Sequence, residues 1–112
     1  MDGQQRTQLR EAFGAGHRVN CSTIALYEWL RGPRTTEQLV AQEALIPTVE
    51  TVPLGVLEAF RASVLFSALG RPRKRGVHVA IAACAIASGA VLWTGPTRDF
   101  HDVPGLTLYR PA

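Results

Sequence analysis

Residues 77–94 read VHVAIAACAIASGAVLWT, and the way this stretch divides decides the fold. Val77 to Ala87 contains no breaker and predicts a helix. Ser88-Gly89 interrupts it, glycine being the usual residue just past a helix end. Ala90 to Thr94 then reads as a strand, with β-branched and aromatic side chains. Both pieces are apolar nearly all round, so both are expected to be buried. A continuous apolar strand fits a parallel sheet covered on both faces. Only His78 is ionisable between Val77 and Trp93. That run is shorter than the about 20 residues a membrane helix needs, and the glycine stop breaks it, so a buried helix and strand explain it better than a membrane span.

Working outward, glycine and proline divide the chain into short alternating elements. A helix is expected over about Gln4 to Phe13, stopped by Gly14 and Gly16, and a strand near Arg18 to Cys21. Ser22 reads as an N-cap for a helix from Thr23 to Arg31 that Gly32-Pro33 ends. A helix from Thr35 or Thr36 to about Leu45 follows. Thr48 to Val52 reads as a short strand. A long helix is expected from Leu54 to Leu69, with Leu57, Phe60, Val64, Leu65 and Ala68 in a 3.6-residue rhythm. A basic loop leads into the Val77 helix, and a turn over Gly95 to Phe100 leads to a last strand near Leu106 to Tyr109. Alternation of this kind predicts the α/β class.

The 112 residues suit one domain, residues 1–112, and 46% hydrophobic with 19% charged residues excludes a disordered chain. Twelve basic against nine acidic residues give a net charge of +3, weak by itself as a sign of a polyanion partner. Its placement says more, because Arg71, Arg73, Lys74 and Arg75 crowd one loop. Cys21 and Cys84 lie in apolar contexts and read as small buried hydrophobes; no CxxC spacing suggests zinc. The polar start MDGQQRTQLR does not read as a secretion signal.

Two segments resemble the signatures of PIN-domain ribonucleases, above all the VapC-type toxins of toxin–antitoxin pairs. The first is Ser22-Thr23-Ile24-Ala25-Leu26-Tyr27-Glu28-Trp29-Leu30-Arg31-Gly32. The second is His78-Val79-Ala80-Ile81-Ala82-Ala83-Cys84-Ala85, followed by Ser88 to Thr94, Arg98-Asp99-Phe100 and Val103-Pro104-Gly105-Leu106. The resemblance implies a three-layer sandwich, a short parallel sheet flanked by helices. The strand ending in Asp-Thr-Ser or Asp-Thr-Asn that opens such proteins, central in their sheet, has no counterpart here, so the domain looks N-terminally shortened.

What the resemblance implies about chemistry is a cytoplasmic, Mg²⁺-dependent endoribonuclease, Mn²⁺ also serving. Such a site needs converging carboxylates, because Mg²⁺ takes oxygen ligands and activates a water for attack on phosphorus. Two of four acids map onto this chain, Glu28 and Asp99, as metal ligands and catalytic groups. The first acid is missing with its strand. The third falls on His78, a poor ligand for Mg²⁺. Thr94 and Asp102 are candidate site neighbours, and Pro96 stands where many relatives carry Asn or Asp. Arg71, Arg73, Lys74 and Arg75 would meet RNA phosphates. RNA (tRNA or mRNA), an antitoxin and a second copy are the implied partners. Each residue also has a plainer reading: Glu28 on a solvated helix face, Asp99 bonding turn backbone, His78 at a helix start, the basic run a solvated loop, and Trp29 and Trp93 in the core or an interface. With two acids lost, a non-cutting protein that binds RNA, an antitoxin or a paralogue is the alternative.

Overall fold

The computed structural model describes residues 3–95 and 97–110. Five α-helices carry the chain: α1 (Gly3–Gly14), α2 (Thr23–Leu30), α3 (Thr36–Leu45), α4 (Val56–Ala68) and α5 (Gly76–Ala87). Single 3₁₀ turns occupy Thr48–Glu50 and Arg73–Arg75. The expected α/β architecture, a sandwich around a parallel sheet, is overturned: among the described residues there is no sheet. Two isolated parallel bridges, Ser22 to Val52 and Leu92 to Leu108, are all that forms.

The physical reason lies at the ends of each would-be ladder. Val52 N–H donates to Cys21 O at 2.9 Å and Thr23 N–H to Val52 O at 2.9 Å. The next residues cannot continue. Thr23 already begins α2, Thr48–Glu50 is coiled into a 3₁₀ turn, and the Leu54 N–H goes to the Thr23 hydroxyl at 3.2 Å rather than to a main-chain carbonyl. On the other side Leu92 N–H meets Thr107 O at 2.9 Å and Tyr109 N–H meets Leu92 O at 2.7 Å. Ala90 is held back in the helix stop described next.

The helix ends follow local chemistry closely. Ser22 Oγ accepts the Ala25 N–H at 3.1 Å, as the capping reading requires. Thr35 and Gln38 bond reciprocally, a capping box that starts α3. At the end of α5, Ala90 N–H reaches Ala85 O and Gly89 N–H reaches Ile86 O, with Gly89 at φ 69°. That is the Schellman pattern, which needs a left-handed residue. A Cβ on Gly89 would meet nothing within 4 Å, so Gly89→Ala should cost only the backbone term, about 1–2 kcal/mol, read as a lower midpoint in chemical denaturation.

The expected burial of the Val77–Ala87 helix is met except at Val77, whereas Ala90 and Val91 of the segment after it, expected to be buried too, are exposed. Val79, Ala82, Ala83, Cys84 and Ala85 of α5 are buried, and their small size lets α4 and α2 pack closely on it. Ala82, Phe100 and Val103 form the core, with Leu65, Leu69, Ile81, Ile86, Leu92, Leu106 and Leu108 against it. Trp93 Nε1 donates to Gln8 at 3.2 Å, and His17 meets Tyr109 edge-on; these tie α1 to the C-terminal segment. The core is small for the chain. Helices α2, α3 and α4 contain no buried residue, and α3 packs closely on no other helix.

Candidate functional site

Three features could carry function: an apolar slot, a cluster of charged side chains beside α5, and bare helix faces. The slot lies between the segments at residues 17–22 and 89–94, with Ala25, Cys84, Ala85 and Phe100 among its walls and a volume of about 610 Å³. Thr94 is on its wall, half-buried. Burial raises the thiol pKa of Cys84 and of Cys21, with Glu58 adding to the effect at Cys84. Both thiols are free, and the raised pKa favours the neutral thiol over the thiolate.

The charged cluster is built by the chain crossing back over the start of α5. Arg75 Nη1 donates to Asp102 Oδ2 at 3.0 Å, Nη2 donates to Asp102 Oδ1, and Nη2 also donates to the Asp99 carbonyl at 2.9 Å. The guanidinium thus clamps the 97–103 turn by both a bidentate carboxylate and a main-chain oxygen. Its hydrogen bond holds the Asp102 carboxyl below the usual carboxylate range, and the same bond raises Arg75. His78 Nε2 lies 3.9 Å from Asp99 Oδ2, too far for a hydrogen bond. Its ring meets Phe100 edge-on, and its Nδ1 is buried without a hydrogen-bond partner.

Glu28 sits on α2 and faces Arg31 at 3.7 Å, one turn along the same helix. Its neighbour Trp29 lies under the Arg34 guanidinium, 4.5 Å from the ring centroid. The structure therefore brings Asp99, Asp102, His78 and Arg75 together. Glu28 pairs with Arg31 on α2. Among the described residues, no group of three or more His, Cys, Asp or Glu side chains could hold a metal ion. Pro96 lies outside the described residues. Of the basic run, Arg71, Arg73 and Lys74 are exposed, whereas Arg75 is turned inward to Asp102.

The expected metal-dependent ribonuclease is overturned on these grounds. The sheet that would carry converging acids is absent among the described residues, and so is the acidic cluster that hydrolysis would need. The identification as a PIN-domain nuclease, and the hydrolase and magnesium chemistry attached to it, fall with them.

The sequence reading did not foresee the third feature. On α4, Val56 (77% exposed), Leu57, Phe60 (68%) and Val64 (67%) face solvent. The expected inward face included Leu57, Phe60 and Val64, but α4 is apolar on two sides and only one packs, through Leu65 and Leu69. On α3, Leu39, Val40 and Leu45 are exposed as well, and Tyr27 and Leu30 on α2. The available signal was quantity: α4 holds more large apolar residues than one buried stripe can take.

Fold and site together define a helical protein with a small core, an apolar slot and exposed apolar helix faces. No family model matches the chain, and no curated protein matches it. Among solved structures it is similar to a chain of VapBC2 from Rickettsia felis, crystallised bound to a DNA fragment from their promoter. The two share 19% identity at a TM-score of 0.71, over 96% of this chain and 85% of that one. The likeness is one of fold. No helix among the described residues is long and apolar enough to cross a membrane.

Proposed function

We propose that this chain is a binding subunit that acts by burying the apolar faces of α3 and α4 against a protein partner. The observation that carries the reading is the stripe Val56, Leu57, Phe60 and Val64, spaced at three and four residues and exposed along its length. Contiguous apolar surface of this kind marks an interaction site, and an i, i+4, i+8 series is how one helix presents anchors to another protein. A second support is α3. Ten residues make a helix that is marginal alone, yet α3 leans on no other helix closely. A partner that covers Leu39, Val40 and Leu45 would supply the missing packing. A third is the shared fold with a chain from a two-component assembly. In that light the partner is a small antitoxin-like protein, and the free thiols suit a reducing cytoplasm.

The test is co-expression with the protein encoded beside this one. The wild-type chain should co-purify with it. The pair Phe60→Asp and Val64→Asp should lower affinity at least a hundredfold, because central aromatic anchors are each worth about 2 kcal/mol or more. The free chain's denaturation midpoint should hardly move, since both side chains already lie in water. Wild-type affinity in the double variant would remove this face from the interface.

A further inference from the structure

The slot has two lips, and the bridge bonds of each, at Cys21 to Thr23 and at Leu92, lie on its outer side. In an extended chain the main-chain groups of successive residues point to opposite edges. Val52 takes the Cys21 carbonyl and the Thr23 N–H, so the groups of Asn20 and the N–H of Ser22 point the other way, toward the slot, while the Ser22 carbonyl accepts the Leu26 N–H of α2. Leu92 gives its N–H to Thr107 and its carbonyl to Tyr109, so those of Val91 and Trp93 also point into the slot. No main-chain bond of Val91 or Trp93 with a described residue is formed.

Main-chain groups of Asn20 and the Ser22 N–H on one lip, and main-chain groups of Val91 and Trp93 on the other, without a main-chain bond to a described residue, therefore border one mostly apolar cavity of about 610 Å³, a volume inside the about 300–1,000 Å³ of ordinary ligand clefts. A small apolar molecule would satisfy the walls and leave the lips unpaired. Water would satisfy the lips and leave the walls wet. An extended peptide satisfies both, since backbone donors and acceptors need partners when buried and β-branched side chains fit apolar walls.

We propose that the slot receives an extended, β-branched segment of a partner protein, inserted as a strand and hydrogen-bonded along both edges. The lips, residues 17–22 and 89–94, bound the length of the segment, at about 3.3 Å per residue. The inference deepens the reading of this chain as a protein-binding subunit, but it rests on a surface distinct from α4. Pairing on two edges is a stronger form of strand addition than the one-edge mode common in peptide recognition.

The experiment uses the full chain carrying Trp29→Phe, so that Trp93 on the slot wall is the only indole. Capped heptapeptides of alternating Val, Ile and Thr between terminal Lys residues are titrated in, and Trp93 emission is read. Saturable binding below millimolar concentration is expected. N-methylating alternate peptide amides keeps the side chains and removes donors; it should weaken binding at least tenfold. Val91→Pro, which deletes one lip N–H, should weaken it at least fivefold. Ala25→Phe, which fills the slot from α2, should do the same, and far-UV circular dichroism checks that each variant is folded. Phe60→Asp should leave peptide affinity unchanged. The proposal is overturned if no peptide saturates at millimolar concentration, or if the N-methylated peptides bind as well as their parents. Loss of peptide binding in Phe60→Asp would place the peptide on α4, overturning the slot while leaving the helix-face reading standing.

Discussion

Phe100→Ala is expected to destabilise the chain by about 3–5 kcal/mol, the usual cost of emptying an aromatic site in a core. Phe100 is 5% exposed and sits with Ala82 and Val103 at the centre of the cluster that α4, α5 and the C-terminal segment share. Its ring also meets the edge of His78. Ala82 is too small to refill the space, and α5 cannot move inward without breaking its contact with α4. Globular domains hold about 0.05–0.15 kcal/mol per residue. A chain with three helices that bury no residue belongs near the bottom of that range, on the order of 6 kcal/mol for this length. One substitution should therefore remove half or more of the stability. Reversible urea denaturation checks it. A cost under about 1 kcal/mol would mean that the 97–103 turn is not part of the cooperative core.

The second large effect is expected at Arg75→Met. This side chain joins the start of α5 to Asp102 and to the Asp99 carbonyl, and the turn it holds carries Phe100 and Val103 into the core. Methionine keeps most of the apolar stem and removes every donor. Amide exchange at Leu92 and Tyr109, whose bonds close the nearby bridge, should speed up at least tenfold, while α1 and α3 keep wild-type rates. Acid should produce a weaker version of the same change in the wild type. Asp102 has its carboxyl lowered from an ordinary value of 3.8 by the Arg75 hydrogen bond. A lowered carboxylate contributes stability that is present above its unfolded value and is lost as pH falls through the folded one. The clamp should accordingly hold at neutral pH and loosen only below about pH 4. Because Asp102 is exposed, solvent screens the pair, and the acid effect should be smaller than the substitution. Unchanged exchange at Leu92 and Tyr109 in Arg75→Met would show the clamp to be ornamental.

Helices proved far more legible than anything else in this chain. Ser22 as a cap, Thr35 or Thr36 as a start and Gly89 as a stop are local signals, and each works through atoms a few residues away. Strands are not local. Cys21 and Leu92 do form main-chain bonds where strands were expected, but a ladder needs neighbours at matching register, and here each segment finds a single bridge. Thr48–Glu50 curls instead into a 3₁₀ turn. The site was half legible for the same reason. Glu28 lies in its expected helix and Asp99 in its expected turn, yet pairing between distant positions could not be read. Asp102 is held by Arg75, 27 residues earlier, and Glu28 by Arg31. The exposed side of α4 was hidden by its own excess of apolar residues, which let Phe60 and Val64 pass for core.

Both sulfur atoms border the slot, Cys21 on one lip and Cys84 on the floor. The chain therefore carries its own chemical gauge of occupancy. Iodoacetamide should add slowly to the empty protein, more slowly still when something fills the gap, and the mass gained over time would count the vacancy without any label, dye or engineered residue.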